Sequence, residues 1–252
     1  MPRFFVQREQ VIENTVHLYG EDAHHIARSL RMAVGDELIV CDMQGMEYEG
    51  RIEAFVEDRE VVVRVERIQQ SEREPSCRIT VFQALPKGDK LDTVIQKAVE
   101  CGASEIVPFE SERCVVRMKQ EAEARKTERR QRIAAEAAKQ SGRSVIPQVL
   151  PTMSFDEMLS CAAECDLKLF CYEGDGTELL GRVLREERET LLKTSATVAV
   201  VIGSEGGFSL DEVAKAKEHG LRAIGLGKRI LRTETASGFV LSCLVYVTEL
   251  DG

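Results

Sequence analysis

Two segments near the end of the chain carry residue types that bind ligands and move protons. The first reads Ile202-Gly-Ser-Glu-Gly-Gly-Phe-Ser209, and the second reads Leu226-Gly-Lys-Arg-Ile-Leu-Arg-Thr-Glu-Thr-Ala236. Glycines allow tight turns and close approach of a ligand to the backbone. The second segment adds a cation, two hydroxyl groups and a carboxylate. Simpler interpretations exist: a glycine turn for the first segment, and a helix start capped by Thr233 or Thr235 for the second.

Both segments follow predicted strands. Thr197–Ile202 is apolar and β-branched, which is typical of a strand buried on both faces of a parallel sheet. Leu221–Leu226 predicts the strand before the second segment. In open α/β sheets, ligands bind at the carboxyl ends of the strands. The spacing therefore puts both segments where a ligand site is expected.

The surrounding chain alternates strands and helices from residue 78 onwards, which predicts a mostly parallel α/β sheet. Further strands are predicted at Ile79–Leu85, Glu105–Phe109 and Leu167–Tyr172, and helices at Lys90–Cys101, Lys119–Gln140 and Leu179–Leu192. Ser154-x-x-Glu157 and Ser209-x-x-Glu212 are capping boxes that predict two more helix starts. The last helix has an apolar stripe at helical spacing from Ala236 to Val247.

The first 70 residues have a different pattern, with short strands at Glu37–Cys41, Tyr48–Phe55 and Val61–Ile68. One short helix is predicted over Glu21–Arg31. A polar stretch with Pro75 then indicates a linker. We therefore predict a small barrel-like β domain over residues 1–72 and an α/β domain over residues 73–252.

Composition narrows the class of protein. The 252 residues are 43% hydrophobic and 31% charged, which predicts a folded core, and the net charge of −9 argues against a general nucleic-acid binder. Residues 1–75 hold nine Arg and sixteen acidic residues, whereas residues 113–143 hold ten Lys or Arg and four Glu. The eight cysteines and four histidines have no metal-site spacing, so no metal is expected. Without a signal peptide or an apolar run of about 18 residues, we expect a cytoplasmic protein.

Taken together, in this order and about 20 residues apart, the two segments resemble the cofactor motifs of the SPOUT class of trefoil-knotted methyltransferases. The chain is most similar to the family that methylates N3 of a uridine in 16S ribosomal RNA of the small subunit. Other segments agree with that family: Pro2-Arg-Phe-Phe5, His25–Leu38, Lys87-Gly-Asp-Lys-Leu-Asp92, Gln96–Gly102, Ser111–Cys114 and Ala134–Arg143. The family often has Pro at the positions of Ser204 and Lys228.

The resemblance implies a knotted α/β methyltransferase domain after a PUA-like β-barrel domain that binds RNA. It also implies that S-adenosyl-L-methionine binds in the two segments. The cofactor-binding residues would be Ile202, Gly203, Glu205, Gly206, Leu226, Gly227, Ile230, Leu231 and Thr235. Such domains usually form homodimers through the last helix, although the stripe from Ala236 to Val247 would look the same in a monomer core.

Methylation of a uridine at N3 requires loss of the N3 proton and leaves negative charge on the ring oxygens. Arg232 is the candidate that stabilises this charge. Glu205 or Glu234 would accept the proton. For Glu234, a helix-start carboxylate is the favoured alternative.

RNA contacts are predicted from basic residues in two regions. They are Arg3, Arg28 and Arg31 near the start, and Arg113, Arg125, Arg129, Arg130 and Arg143 in the basic stretch. Charged helix faces that only meet solvent are the alternative. Other activities also stay open: 2′-O-methylation of ribose, or a ribosome-assembly role that binds RNA without catalysis.

Overall fold

The computed structural model describes residues 1–57, 59–117 and 120–251, and these residues form two compact units. The first unit contains residues 1–74 and 138–146, and the second contains residues 75–137 and 147–252. The first unit therefore consists of two separate chain segments, so no single boundary in the sequence divides the two units. The predicted domains 1–72 and 73–252 stay a prediction.

The first unit is built on a six-stranded sheet with the order β1-β4-β5-β6-β3-β2. All neighbours in it are antiparallel except β1 and β4. The strands are β1 (Arg3–Phe5), β2 (Val11–Ile12), β3 (Thr15–Tyr19), β4 (Glu37–Cys41), β5 (Met46–Val56) and β6 (Glu60–Gln70). The predicted helix over Glu21–Arg31 is shorter than expected: α1 (Gly20–His24) passes into a π-helical turn at His25–Ser29.

The second unit is built on a sheet whose strand pairs are all parallel, with the order β10-β8-β7-β13-β11-β14-β12 and β9 beside β8. Its strands are β7 (Arg78–Ala84), β8 (Glu105–Glu110), β9 (Gln148–Val149), β10 (Met153–Ser154), β11 (Leu167–Cys171), β12 (Glu178–Leu179), β13 (Thr197–Ile202) and β14 (Arg222–Gly225). The predicted alternation of strands and helices is confirmed. Strand β13 is buried from Val198 to Ile202, as its β-branched sequence predicted.

The helices that connect these strands follow the predicted order. They are α2 (Lys90–Glu100), α3 (Gln120–Ser141), α4 (Phe155–Ala163), α5 (Leu180–Glu186), α6 (Arg188–Leu191), α7 (Leu210–Glu218) and α8 (Thr233–Val245). Both predicted capping boxes form, at Ser154 before α4 and at Ser209 before α7. The predicted first residue of the third helix, Lys119, lies outside the described residues.

One predicted helix is wrong, because Leu179–Leu192 forms two short helices that are separated at Glu187. Tertiary ion pairs lie at this break. The guanidinium of Arg222 on β14 binds the carboxylates of Glu178, Glu186 and Glu187 together, which ties the end of α5 to the sheet.

The last helix, α8, packs against α2 and β13. Its predicted stripe is largely buried inside the unit, at Ala236, Val240 and Leu244, whereas Phe239 is 40% exposed. Among the described residues, no helix is long and apolar enough to cross a membrane. In the same part of the chain, no three His, Cys, Asp or Glu side chains are grouped as a metal would require.

Candidate active site

A cavity of 730 Å³ opens at the carboxyl ends of β11, β13 and β14. Its wall consists mainly of residues 202–208, which we call the first loop, and residues 225–234, which we call the second loop. Residues 171–174 after β11 complete the wall, together with Lys90, Arg113, Thr177 and Ala236. The volume is in the range of small-molecule sites, roughly 300–1,000 Å³. The two segments that the sequence singled out therefore share one cavity.

A buried hydrogen-bond network joins the two loops to the centre of the sheet. Thr233, the first residue of α8, donates its hydroxyl proton to the carbonyl of Gly203 at 2.6 Å. Gln83 on β7 donates from Nε2 to the Thr233 hydroxyl at 2.8 Å and to the Gly203 carbonyl at 3.3 Å. Gln83 is fully buried, so water cannot replace these bonds. We call this set the Gln83–Thr233–Gly203 link.

This link explains why the capping interpretation of the second loop fails. The N-cap residue of α8 is Arg232, and no side chain caps the helix there. Thr233 uses its hydroxyl on the other loop, and Thr235 donates only its backbone N–H, to the carbonyl of Arg232. The hydroxyl that the sequence offered as a cap connects segments that are 30 residues apart.

Two glycines of the first loop pack closely against neighbouring residues, so a side chain there would force those neighbours to shift. A Cβ on Gly203 would lie 3.1 Å from the Phe208 ring, and a Cβ on Gly206 would lie 3.0 Å from the Cβ of Arg113. In the second loop, Gly227 has a φ of +109°, which strains any other residue. The glycines therefore fix the shape of the cavity wall, as well as leaving room for a ligand.

Glu205, a predicted proton acceptor and cofactor contact, is held by two donors. Its carboxylate accepts 2.7 Å and 3.1 Å hydrogen bonds from Lys90 Nζ and the backbone N–H of Lys87. Partial burial alone would raise the pKa of Glu205, but these donors outweigh it and hold that pKa below its ordinary value. An ionised carboxylate with a low pKa is a poor proton acceptor near neutral pH.

Glu234 and Arg232 form the other charged part of the wall. Glu234 Oε2 is buried and has no hydrogen-bond partner among the described residues. Arg232 is exposed, with 84% of its side chain accessible, and its Nη1 lies 4.0 Å from Glu234 Oε1. The arrangement puts a solvent-exposed cation beside a carboxylate that has one buried acceptor atom without a partner among the described residues.

The structure brings most of the predicted site residues together. Arg232, Glu205 and Glu234 line the cavity, as do the predicted cofactor residues except one. That one is Thr235, which is exposed and lies outside the cavity wall among the described residues. Thr235 lies two residues after Thr233, on roughly the opposite side of α8, and it is Thr233 that faces the loops.

Sequence reasoning missed Gln83 and gave no site role to Lys90 or to residues 171–174. Gln83 lies inside a strand that was predicted only as core, and its importance depends on Gly203 and Thr233, 120 and 150 residues away. Lys90 does belong to a segment, Lys87–Asp92, whose resemblance was noticed. That was the one signal in the sequence that pointed to it.

Three predicted RNA contacts are buried ion pairs, and we withdraw them. Arg3 donates to Glu47 at 2.7 Å, Arg130 donates to Glu123 at 3.1 Å, and Arg143 pairs with Glu74. All three guanidiniums are almost inaccessible to solvent. A phosphate would have to displace a carboxylate from a dry environment, which leaves that carboxylate buried and unpaired.

The other predicted RNA contacts are exposed. Arg129 forms a two-bond ion pair with Asp92 at 2.6 and 2.8 Å, and Arg113 donates to the carbonyl of Gly206 at 3.2 Å. Arg28, Arg31 and Arg125 are also exposed. Their exposure alone does not show that they contact RNA, so their role in RNA binding stays a prediction.

Comparison with known proteins agrees with this architecture. A family model for an RNA methyltransferase domain matches residues 72–245, and a model for an RNA methyltransferase PUA domain matches residues 18–66. The ribosomal RNA small subunit methyltransferase E of Bacillus subtilis is 35% identical, over 99% of this chain and 98% of its own. The chain belongs to the ribosomal RNA small subunit methyltransferase E family.

Solved structures support the same membership. A ribosomal RNA small subunit methyltransferase E from Neisseria gonorrhoeae, crystallised with S-adenosyl methionine, superposes with a TM-score of 0.83 at 29% identity and covers 98% of both chains. Among relatives compared by sequence, the ribosomal RNA small subunit methyltransferase E of Synechocystis is 31% identical over 95% of this chain and 76% of its own. The predicted family is confirmed, and so is the predicted fold class, a knotted α/β methyltransferase domain with a PUA-like domain.

The Gln83–Thr233–Gly203 link predicts a measurable stability difference between two threonines of α8. Thr233→Val keeps the side-chain shape but removes the hydroxyl, so it should lower the free energy of unfolding by about 1 kcal/mol. Thr235→Val is the matched control at an exposed position and should change it by less than about 0.5 kcal/mol. Denaturant unfolding of both variants measures this. Equal effects would contradict the link.

Proposed function

We propose that this protein transfers a methyl group from S-adenosyl-L-methionine to N3 of a uridine in 16S ribosomal RNA. The observation that carries the proposal is the cavity itself. Its wall contains both loops, and the second loop contributes Arg232 and Glu234, whose Oε2 has no partner among the described residues. Family membership supports the reaction class, since relatives are named for methylation of small-subunit ribosomal RNA. Because the substrate belongs to the ribosome, the proposal includes a cytoplasmic location.

The residues of the cavity fit this cofactor. The wall offers an unpartnered buried oxygen at Ser204 Oγ, which can accept a hydrogen bond from an amino group. It also offers apolar surface and backbone at Ile202, Leu226 and Leu231. We assign cofactor binding to both loops, including Gly203, Gly206, Gly227 and Ile230. When bound, S-adenosyl-L-methionine supplies a methyl group on a positively charged sulfur.

The chain's own residues then act on the uracil ring. Glu234 accepts the N3 proton through its free Oε2, and Arg232 donates to the ring oxygen on which negative charge develops. Arg232 can do so because its side chain is exposed and lies 4.0 Å from Glu234. Glu205 acts differently: bound by Lys90 and the N–H of Lys87, it holds the first loop in place.

RNA binding and oligomeric state complete the proposal. The PUA domain and the exposed Arg28, Arg31, Arg113, Arg125 and Arg129 are the proposed contacts to ribosomal RNA, made mainly to phosphates. We propose a homodimer, in which Phe239 and Tyr246 of the last helical segment are covered by a second copy. Both side chains are exposed in the single chain, which supports this.

The proposed reaction is tested by its product. Small ribosomal subunits that lack the modification are incubated with the protein and labelled S-adenosyl-L-methionine, and the methylated nucleoside is identified by mass spectrometry. A single 3-methyluridine is expected. A 2′-O-methylated nucleoside would contradict the acceptor atom, and no transfer despite cofactor binding would favour a role in assembly without catalysis.

The division of labour between the two glutamates predicts a contrast in rate. Glu234→Gln should lower the single-turnover rate about 10²-fold or more at saturating cofactor and RNA, because the proton acceptor is lost. Glu205→Gln is the matched control and should lower it far less. If Glu234 were only a helix-start carboxylate, Glu234→Gln would shift stability by about 0.3–1 kcal/mol and leave the rate unchanged. That result would overturn its role.

A further inference from the structure

The second loop carries two cations that the proposed chemistry does not use. Lys228 and Arg229 follow Gly227, line the cavity, and are both exposed. Within the part of the chain that the structure describes, neither forms a hydrogen bond or an ion pair. Ile230 beside them has 83% of its surface exposed. We call residues 228–230 the loop tip.

The loop tip makes the cavity wall locally positive in an acidic protein. The wall carries five cations (Lys90, Arg113, Lys228, Arg229 and Arg232) and three carboxylates (Glu173, Glu205 and Glu234). Glu205 is neutralised by Lys90 at 2.7 Å, and Glu234 lies 4.0 Å from Arg232. The charge that remains unbalanced therefore belongs chiefly to Lys228 and Arg229.

Unpaired exposed cations matter here because the chain as a whole repels RNA. Its net charge is −9, so a polyanion can approach only where local positive charge outweighs that field. Several arginines that could have served are already bound to carboxylates and buried, among them Arg130 with Glu123 and Arg143 with Glu74. The loop tip has no such internal partner, so its charge is available to a ligand.

The reaction also fixes where a phosphate must lie. A uracil ring that reacts inside the cavity has to leave its stack, and its own backbone then passes over the cavity mouth. Cations on the cavity rim are therefore next to the flanking phosphates. The apolar side chain of Ile230 offers a surface to a sugar or base at the same place.

On these grounds we propose that Lys228 and Arg229 bind the RNA phosphates that flank the target nucleotide. This inference rests on the proposed function and adds a contact to it. Lys228 and Arg229 anchor the backbone while the base enters the cavity, so these two side chains contribute to RNA affinity and not to cofactor affinity.

The test is the salt dependence of RNA binding by the full-length protein, measured on a 16S ribosomal RNA transcript between about 50 and 200 mM salt. Lys228→Ala/Arg229→Ala should reduce the slope of log affinity against log salt by about one to two, because each lost phosphate contact removes slightly less than one. Lys228→Arg/Arg229→Lys keeps both charges and should retain the wild-type slope. Lys193→Ala/Lys217→Ala is the control, since these exposed lysines lie outside the cavity wall.

Three outcomes would overturn the inference. The slope could stay unchanged in Lys228→Ala/Arg229→Ala, the control variant could lose as much slope, or Lys228→Ala/Arg229→Ala could bind S-adenosyl-L-methionine more weakly than the wild type. The last would assign the loop tip to the cofactor. A failure of the proposed function is distinguishable, because it shows as absent methyl transfer by the wild-type protein. If the wild-type protein methylates RNA but Lys228→Ala/Arg229→Ala keeps the wild-type salt slope, only the loop-tip contact is wrong.

Discussion

The candidate site depends on one buried hydrogen-bond network, in which Thr233 and Gln83 bind the carbonyl of Gly203. Each partner belongs to a different part of the chain: Gln83 to β7, Gly203 to the end of β13, and Thr233 to the start of α8. Because Gln83 and Thr233 are buried, loss of these bonds would leave buried polar atoms unsatisfied. The loops are therefore held at a defined separation before any ligand arrives, and this lowers the conformational cost of binding.

The ion pairs of the protein determine which of its cations remain available to a ligand. Within the described ranges of the chain, four of the eight arginines that the sequence suggested as RNA contacts are bound to carboxylates inside their own unit, and three of these are almost inaccessible to solvent. The positive charge that stays available in the second unit includes the cavity rim, where Arg232, Lys228 and Arg229 lie. An acidic protein can in this way direct an RNA substrate to the place where the chemistry occurs.

The sequence predicted the parts of the fold that depend on local pattern. Strands β4 and β13 were predicted to the residue, since runs of β-branched and apolar side chains mark them, and both capping boxes form as their spacing required. The resemblance supplied the knotted fold, which no composition could have indicated. Both loops were selected as candidates because glycine, arginine and glutamate are concentrated there, and the structure places both around one cavity.

What the sequence could not show depends on partners far along the chain. Arg3 and Arg143 look like free cations until Glu47 and Glu74 are seen beside them, 44 and 69 residues away. The ion pairs beside the break at Glu187 come from Arg222, 35 residues further on. Thr233 looks like a helix cap, and its bond to Gly203 follows only from the tertiary fold.

The central claim is that both loops form one preformed wall to which the methyl donor binds. Hydrogen–deuterium exchange of the wild-type protein, with and without S-adenosyl-L-methionine, tests it directly. The account predicts slower exchange in residues 202–208 and 225–234 together, with little change in the strands that precede them. Protection of only one loop, or protection centred on another part of the second unit, would contradict it.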